Sequence, residues 1–190
     1  MKKVLSTLAM TLSLFSSASI ATDNFTLDSN FSSVSFATIK KQYIVEPAMI
    51  KTLSGTLDSN GQFNVSIDLN GIDTGIKIRD TRINEIFFES DKYSLVKVSG
   101  KVDWVSSGEG SHKINVPAEV TVFGKTNSIE FPVIILNAGD TVMVSSSSPV
   151  IIDAGDFGIP SKNLADLAAT VGGIEISDRV PLTINLTFNK

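Results

Sequence analysis

The chain has 190 residues, a formal net charge of −4, 42% hydrophobic residues and no cysteine. An acidic chain without a cluster of Lys and Arg is a poor partner for nucleic acid, because phosphate binding needs grouped positive charge. The absence of cysteine excludes disulfides, and it excludes the lipid-attachment cysteine that a bacterial lipoprotein carries after its signal. We therefore expect a domain whose apolar core is sufficient without cross-links.

The N-terminus has the pattern of a secretory signal peptide. Two lysines precede an apolar run over 4–15, and Ser19-Ile20-Ala21 has the small residues of a cleavage site. The apolar run is shorter than the ~20 residues that a membrane-spanning helix needs, so a membrane anchor is the weaker alternative. We expect a signal peptide at 1–21 and a mature domain at 22–190. The mature domain is then periplasmic, or secreted, without stable membrane insertion.

After residue 22 the dominant pattern is an alternation of apolar and polar residues with period two. Phe63, Val65 and Ile67 alternate with Asn64 and Ser66, for example. Successive side chains in a strand point to opposite faces, so each alternating run has one apolar face. The runs that predict strands are, in chain order, 34–36, 50–57, 63–69, 96–104, 114–122, 129–135 and 180–188.

Turn-forming residues separate these runs, as in Ser59-Asn60-Gly61 and Phe123-Gly124-Lys125. Short strands joined by such turns are typical of an antiparallel meander. Helical spacing of apolar residues occurs only over 79–93 and 160–170. Two short helices cannot cover a sheet of about eight strands. The sheet must therefore bury its apolar face against itself, as a closed barrel or a sandwich.

A small closed barrel is either filled by its own side chains or holds one small ligand, and the alternation leaves both readings open. The inward positions are nearly all Val, Ile, Leu and Phe. Such a wall cannot compensate a buried charge. It can accept hydrocarbon, at about 0.8 kcal/mol for each CH₂ removed from water. Any ligand is therefore expected to carry a long alkyl or isoprenoid chain.

Several motifs that resemble catalytic or metal-binding sequences lack their necessary partners. Asp73-Thr74-Gly75 occurs once, whereas an aspartic protease needs two such carboxylates. Asp156-Phe157-Gly158 has no accompanying phosphate loop, and we expect Phe157 to plug the barrel. The single histidine, His112, is expected on an exposed turn and cannot build a zinc site or a catalytic relay alone. Asp153, Asp156 and Asp166 match no EF-hand spacing, so we interpret them as surface charge. No catalytic residue and no metal site is predicted, and we do not expect an enzyme.

Taken in order, short segments of the chain resemble the YceI-like family through almost all of the mature domain. The segments are Phe25-Thr26-Leu27-Asp28, Ser32-Ser33-Val34-Ser35-Phe36, Ser54-Gly55-Thr56-Leu57-Asp58, Ile72-Asp73-Thr74-Gly75, Arg79-Asp80, Phe87-Phe88, Lys92-Tyr93, Val120-Thr121-Val122-Phe123-Gly124-Lys125-Thr126, Asp156-Phe157-Gly158-Ile159 and Val180-Pro181-Leu182-Thr183. The resemblance implies an all-β fold, a single lipocalin-like antiparallel barrel of about eight strands with one or two short helices. It also implies a polyisoprenoid or other amphiphilic lipid in the barrel, usually in the bacterial periplasm.

The chain departs from the family pattern at 38–51, where we expect an unusual loop, and at 160–173, which suggests a helical insertion. Basic residues near the expected mouth are head-group candidates, although ordinary helix and loop surface is the alternative: Arg79, Arg82, Lys40 and Lys41. Candidates for contact with the lipid chain are Phe36, Ile67, Leu69, Phe87, Phe88, Val98, Trp104, Val120, Val122, Phe131, Val133, Phe157, Leu164 and Leu167. A homodimer through an edge near 38–51, and a packed barrel that binds only another protein, are the alternatives left open.

Overall fold

The computed structural model describes residues 24–103 and 108–190, so the predicted signal peptide lies outside the described residues. Within them, antiparallel strands dominate and two α-helices occur. The strands are β1 Asn24–Leu27, β2 Ser33–Lys40, β3 Ile44–Ile50, β4 Leu53–Asp58, β5 Gln62–Asp68, β6 Ile72–Asp73, β7 Leu95–Lys101, β8 Gly110–Val122, β9 Lys125–Asn137, β10 Thr141–Ser146, β11 Val150–Asp153 and β12 Arg179–Asn189. The helices are α1 Lys77–Arg82, which continues as a π turn over Ile83–Phe87, and α2 Ser161–Ala169.

Eight strands close into a ring in the order β1-β4-β5-β7-β8-β9-β10-β12. The ring is completed where β12 pairs with β1, with Leu27 opposite Phe188. Closure removes the exposed edges that an open sheet would have and turns one face of every strand inward. The prediction of a single antiparallel barrel of about eight strands is confirmed, and the sandwich alternative is excluded.

Residues 38–51 form most of a β-hairpin, and the expectation of an unusual loop there is wrong. β2 pairs with β3 along its length, from Val34 opposite Ile50 to Lys40 opposite Ile44. Beyond β3, only β6 adds two residue pairs, at Met49 and Ile50. Among the described residues, the β3 edge over 44–48 therefore has no neighbouring strand. A homodimer through this edge remains a prediction.

Both helices form where the helical spacing predicted them, but the first is shorter than predicted and ends in a π turn. The predicted helix over 79–93 is observed as α1 and its π turn, which ends at Phe87. The N–H of Phe88 bonds to the carbonyl of Ile83, five residues back, which is the π pattern. α2 lies within the predicted span 160–170. No helix among the described residues is both long and apolar enough to cross a membrane.

His112 lies within β8, opposite Ile135, and not on the exposed turn that the sequence suggested. Its side chain is half-buried, and its Nε2 atom has no hydrogen-bond partner in the described part of the chain. The reason for the difference is that β8 begins directly at Gly110, so the strand includes the polar residues that resembled a turn.

The hairpin tip and both helices come together at one end of the barrel. The backbone N–H of Lys41 donates to the carbonyl of Glu175, in the connection between α2 and β12, at 3.0 Å. Arg82 at the end of α1 reaches the carbonyl of Thr170, just after α2. The turns at 59–61 and 138–140 lie at the opposite end, where β4 meets β5 and β9 meets β10. We call the first end the helix end.

Candidate ligand-binding cavity

The barrel encloses a cavity of about 410 Å³. This volume falls within the ~300–1,000 Å³ typical of small-molecule sites. Its walls are inward-facing apolar side chains from strands all around the ring, with Val65, Val98, Val120 and Val133 as examples. Inward residues of moderate size leave the centre of the ring unfilled, so the interior is not the solid core of the packed alternative.

The cavity changes from apolar to polar along β2. Its inward positions are, in order, Val34, Phe36, Thr38 and Lys40, and all four line the cavity. At ~3.3 Å per strand residue, these positions cover about 20 Å along the strand. The gradient gives the cavity a dry interior and a polar helix end, which suits a molecule with a long apolar tail and a polar head.

All polar residues that line the cavity lie at the helix end. They belong to β2, to α1, or to the connection between the end of α2 and the start of β12. They are Thr38, Lys40, Arg79, Arg82, Thr170, Ser177 and Asp178. We call the opening that they surround the mouth.

The π turn and α2 form a roof beside the mouth. Phe87 and Phe88 line the cavity and contact each other edge to face, with ring centroids 4.8 Å apart. The buried Asn163 of α2 holds the two parts together, because its Nδ2 donates to the Phe87 carbonyl at 3.1 Å and to Glu89 Oε1 at 3.0 Å. Hydrogen bonds from Lys92 and from Asn163 keep the pKa of the Glu89 carboxyl below its ordinary value.

Positive charge outweighs negative charge among the cavity-lining residues on the β3 and α1 side of the mouth. Glu46 of β3 lies between two cations, with Lys40 Nζ 2.5 Å from Oε2 and Arg79 Nη2 2.8 Å from Oε1. Arg82 has no carboxylate partner among the described residues, and its Nη1 donates a hydrogen bond to the Thr170 carbonyl at 3.4 Å. An arginine has five N–H donors, so Arg82 can still bind an oxygen-rich group in the mouth.

The structure brings the apolar candidates from the sequence together. All of them except Trp104 line the cavity, and Trp104 lies outside the described residues. Among the head-group candidates, Lys40, Arg79 and Arg82 line the mouth. Lys41 lies at the hairpin tip, where the chain leaves β2 with a φ of 48°, and its exposed side chain is not part of the cavity wall.

Some lining residues were missed from the sequence. Thr38 follows the alternation of β2 and could have been found by extending the run from Val34. Ile76, Ile78 and Ile176 lie in or beside irregular connections, where no period indicates which way a side chain points.

The carboxylates of the motifs that resembled active sites have local structural partners. Asp73 Oδ1 accepts a hydrogen bond from the Gly75 N–H, which makes a tight turn before α1. Asp153 pairs with Arg179, and this guanidinium together with the Gly155 N–H holds the pKa of its carboxyl below the ordinary value. Phe157 is buried and lines the cavity, as its predicted plugging role requires. In residues 24–103 and 108–190, no group of acidic or histidine side chains is arranged to hold a metal ion.

Comparisons with known proteins agree with the fold. The model of the YceI-like domain matches residues 25–188. A solved polyisoprenoid-binding domain from Saccharophagus degradans, implicated in plant cell wall breakdown, is 26% identical, with a TM-score of 0.81 over 87% of this chain and 97% of that one. BcnA of Burkholderia cenocepacia is 18% identical, with a TM-score of 0.63 over 85% of this chain and 98% of that one. No curated protein matches the chain.

Proposed function

Since the chain belongs to the YceI-like domain family, we propose that it is a non-catalytic protein that holds the tail of a polyisoprenoid or other long-chain lipid inside its barrel. The observation that carries this proposal is the cavity of about 410 Å³, which is apolar throughout its depth and polar only at the mouth. The Saccharophagus degradans domain, similar over nearly its whole length, is described as polyisoprenoid-binding.

The size of the hydrophobic term explains why the tail must be long. Ten CH₂ groups removed from water contribute roughly 8 kcal/mol. Association costs an estimated 4–15 kcal/mol, so a short chain would leave little net affinity. A longer chain, reaching along the ~20 Å of wall that β2 provides, supplies the surplus. The apolar wall also disfavours any ligand with a charge along its tail.

The polar head then lies in the mouth. Arg82 is the best-placed group to bind it, because the residue lines the cavity and its guanidinium has no carboxylate partner among the described residues. Lys40 and Arg79 contribute positive charge but are already engaged by Glu46. A phosphate or carboxylate head matches the planar, multiple donors of arginine.

We also propose that the protein is exported and acts in the periplasm, from the basic start, apolar run and small-residue site at 1–21. Cell fractionation followed by N-terminal sequencing tests this. The expected result is a periplasmic protein that begins at Thr22. A cytoplasmic protein that retains Met1 would contradict it.

The main test of lipid binding is extraction of the purified protein with organic solvent, followed by mass spectrometry. We expect a consistent long-chain lipid in about stoichiometric amount. Val98→Trp should reduce it strongly, because Val98 lines the cavity and the larger side chain would occupy the space of the tail. The matched control is Lys97→Trp, at the adjacent exposed position of β7. An empty wild-type protein that also fails to bind added prenols and fatty acids would overturn the proposal.

A further inference from the structure

Large apolar side chains are exposed around the outside of the mouth. Tyr43, Ile44 and Val45 lie at the tip of the β2–β3 hairpin and the start of β3, and these residues are 76%, 38% and 60% exposed. Ile76 and Ile78 lie at the beginning of α1, and they are 45% and 56% exposed. We call these five residues the mouth collar. Exposed apolar groups concentrated at one place on a surface commonly mark an interaction site.

The two parts of the mouth collar are fixed next to each other. Glu46 of β3 accepts a hydrogen bond from Arg79 of α1 at 2.8 Å. Further along, β3 pairs with β6, which leads directly into α1, through Met49 opposite Asp73. The exposed apolar side chains therefore belong to one surface and not to two independent loops.

This surface is continuous with the interior of the barrel. Ile76 and Ile78 are exposed to solvent and also line the cavity. A lipid tail that passes through the mouth would therefore contact apolar side chains throughout, first those of the mouth collar and then those of the cavity wall.

Two exposed lysines stand beside the mouth collar. Lys41 lies two residues before Tyr43 at the hairpin tip, and Lys77 lies between Ile76 and Ile78. The nearby carboxylates on these segments have other partners: Glu46 pairs with Lys40 and Arg79, Asp80 Oδ1 accepts hydrogen bonds from Thr74, and Asp73 Oδ1 accepts one from the Gly75 N–H.

The other side of the mouth carries exposed acidic residues, Glu175 and Asp178, in the connection before β12. The mouth collar is thus the more positive side of the opening, which gives an approaching acidic surface a preferred orientation.

We propose that the mouth collar docks onto a bilayer that contains acidic phospholipids, and that the cavity exchanges its lipid there. This rests on the proposed function. Apolar side chains and an amphipathic tyrosine flanked by lysines are the combination that binds membrane interfaces. Lipids with long tails have very low concentrations in water, so direct contact between mouth and bilayer avoids transfer of the exposed tail through solvent.

Vesicle flotation tests the proposal. The assay uses the protein from Thr22 onward, so that the apolar run at 4–15 cannot bind the vesicles itself. All described strands lie within this portion, and the model of the YceI-like domain matches residues 25–188. We expect this protein to float with vesicles of phosphatidylcholine and phosphatidylglycerol, and to bind vesicles of phosphatidylcholine alone at least about tenfold more weakly. Added salt should weaken binding to the acidic vesicles.

Two pairs of variants identify the surface. Tyr43→Ser with Val45→Ser, and separately Lys41→Glu with Lys77→Glu, should each reduce binding to acidic vesicles about tenfold or more. None of these four residues lines the cavity. Phe31→Ser with Met143→Ser, at residues 71% and 45% exposed, is the apolar control, and Lys97→Glu with Lys101→Glu on β7 is the charge control. Both controls should bind vesicles like the parent protein.

A second measurement separates this proposal from the proposed function. Binding of a long-chain fluorescent fatty acid in solution without vesicles should be unchanged in the variant that combines Tyr43→Ser and Val45→Ser, because neither residue lines the cavity. If the parent protein binds that probe but does not float with acidic vesicles, docking is overturned and lipid binding stands. If the parent protein binds neither, the proposed function fails first. If the parent does not float but forms a dimer that Tyr43→Ser with Val45→Ser disrupts, the collar pairs with a second copy and docking is overturned.

Discussion

The turn of the β2–β3 hairpin holds two non-glycine residues in the left-handed region. Lys41 has a φ of 48° and Gln42 a φ of 65°, and the Tyr43 N–H closes the turn onto the Lys40 carbonyl at 3.2 Å. These are the features of a type I′ turn, which favours Asn-Gly. An L-residue other than glycine in this conformation costs about 1–2 kcal/mol. The turn at the tip of the β2–β3 hairpin therefore lowers the stability of the folded protein.

Replacing Gln42 with glycine should relieve part of this strain. We expect Gln42→Gly to raise the free energy of unfolding by about 1 kcal/mol, measured by urea denaturation. Asn30→Gly is the control, because Asn30 lies in a 3₁₀ turn and does not have a positive φ. It should be neutral or slightly destabilising. A Gln42→Gly protein no more stable than its parent would contradict the strain argument.

Arg82 is the residue on which head-group recognition should depend most. Replacing it with methionine keeps the apolar stem but removes the charge and all its donors. We expect Arg82→Met to weaken binding of a long-chain fatty acid about tenfold or more, since hydrogen bonds to charged groups contribute about 1.5–3 kcal/mol. Binding of an uncharged prenol of similar length should change little.

Fluorescence displacement with both ligands measures this difference. The control is Arg179→Met, because Arg179 pairs with Asp153 and does not line the cavity. If Arg82→Met loses affinity for the fatty acid and the prenol equally, Arg82 maintains the structure of the mouth and does not recognise a charged head group.

At the scale of elements, the period-two alternation predicted most of the ring strands closely. The runs at 63–69, 114–122 and 180–188 correspond to β5, β8 and β12. Alternation succeeds here because each strand has one face in the cavity and one in solvent. It failed at 38–51 for a physical reason. Lys40 lines the mouth of the barrel and pairs with Glu46, so β2 and β3 place charged side chains where the pattern requires apolar ones.

Most of the predicted site residues lie on regular elements. Phe131 and Val133 were identified from β9 because their positions alternate. The roof residues Phe87, Phe88, Leu164 and Leu167 were also among the candidates, and they line the cavity although the π turn after Ile83 departs from an ideal α-helix. Ile176, in the connection before β12, lines the cavity through its bridge to Lys40, a contact that no local pattern in the sequence shows.

The ion pair between β11 and β12 should make stability depend on pH in a defined direction. Arg179 lowers the pKa of Asp153 in the folded state. Its contribution is therefore fully present above the ordinary aspartate pKa of ~3.9 and is lost as the pH falls through the lower folded-state value. Asp153→Asn should destabilise the protein at neutral pH, and the difference from wild type should shrink as the pH drops below about 4.

Urea unfolding at a series of acidic pH values measures this effect. Arg179→Met should produce the same loss of pH dependence, and combining it with Asp153→Asn should add little, because both changes remove one interaction. A destabilisation by Asp153→Asn that stays constant with pH would show that the carboxyl is needed for its turn with Gly155, and not for the ion pair.

At the scale of the whole molecule, closure could be predicted but the cavity could not. Too few helices to cover the sheet already required the strands to close on themselves. Whether the ring is filled depends on the summed volume of inward side chains. At Gly100, for example, a Cβ would lie 2.7 Å from the Phe63 ring, so some positions are tightly packed while the centre stays open. Such differences in packing density depend on the three-dimensional arrangement of the side chains, and the period-two alternation of the sequence does not show them.

An open centre couples lipid binding to the stability of the entire barrel. A ligand that binds only the folded state stabilises it by about 2.7 kcal/mol when its free concentration is a hundred times the dissociation constant. We therefore expect lipid-free protein to unfold at a lower temperature than protein with bound lipid, and added lipid to restore the difference. Val98→Trp should lose most of this response, because its side chain occupies the cavity, whereas Lys97→Trp should retain it. Scanning calorimetry of all three proteins, with and without a long-chain prenol, measures the response. If no long-chain lipid changes the transition temperature of the wild-type protein, the cavity does not hold a lipid tail.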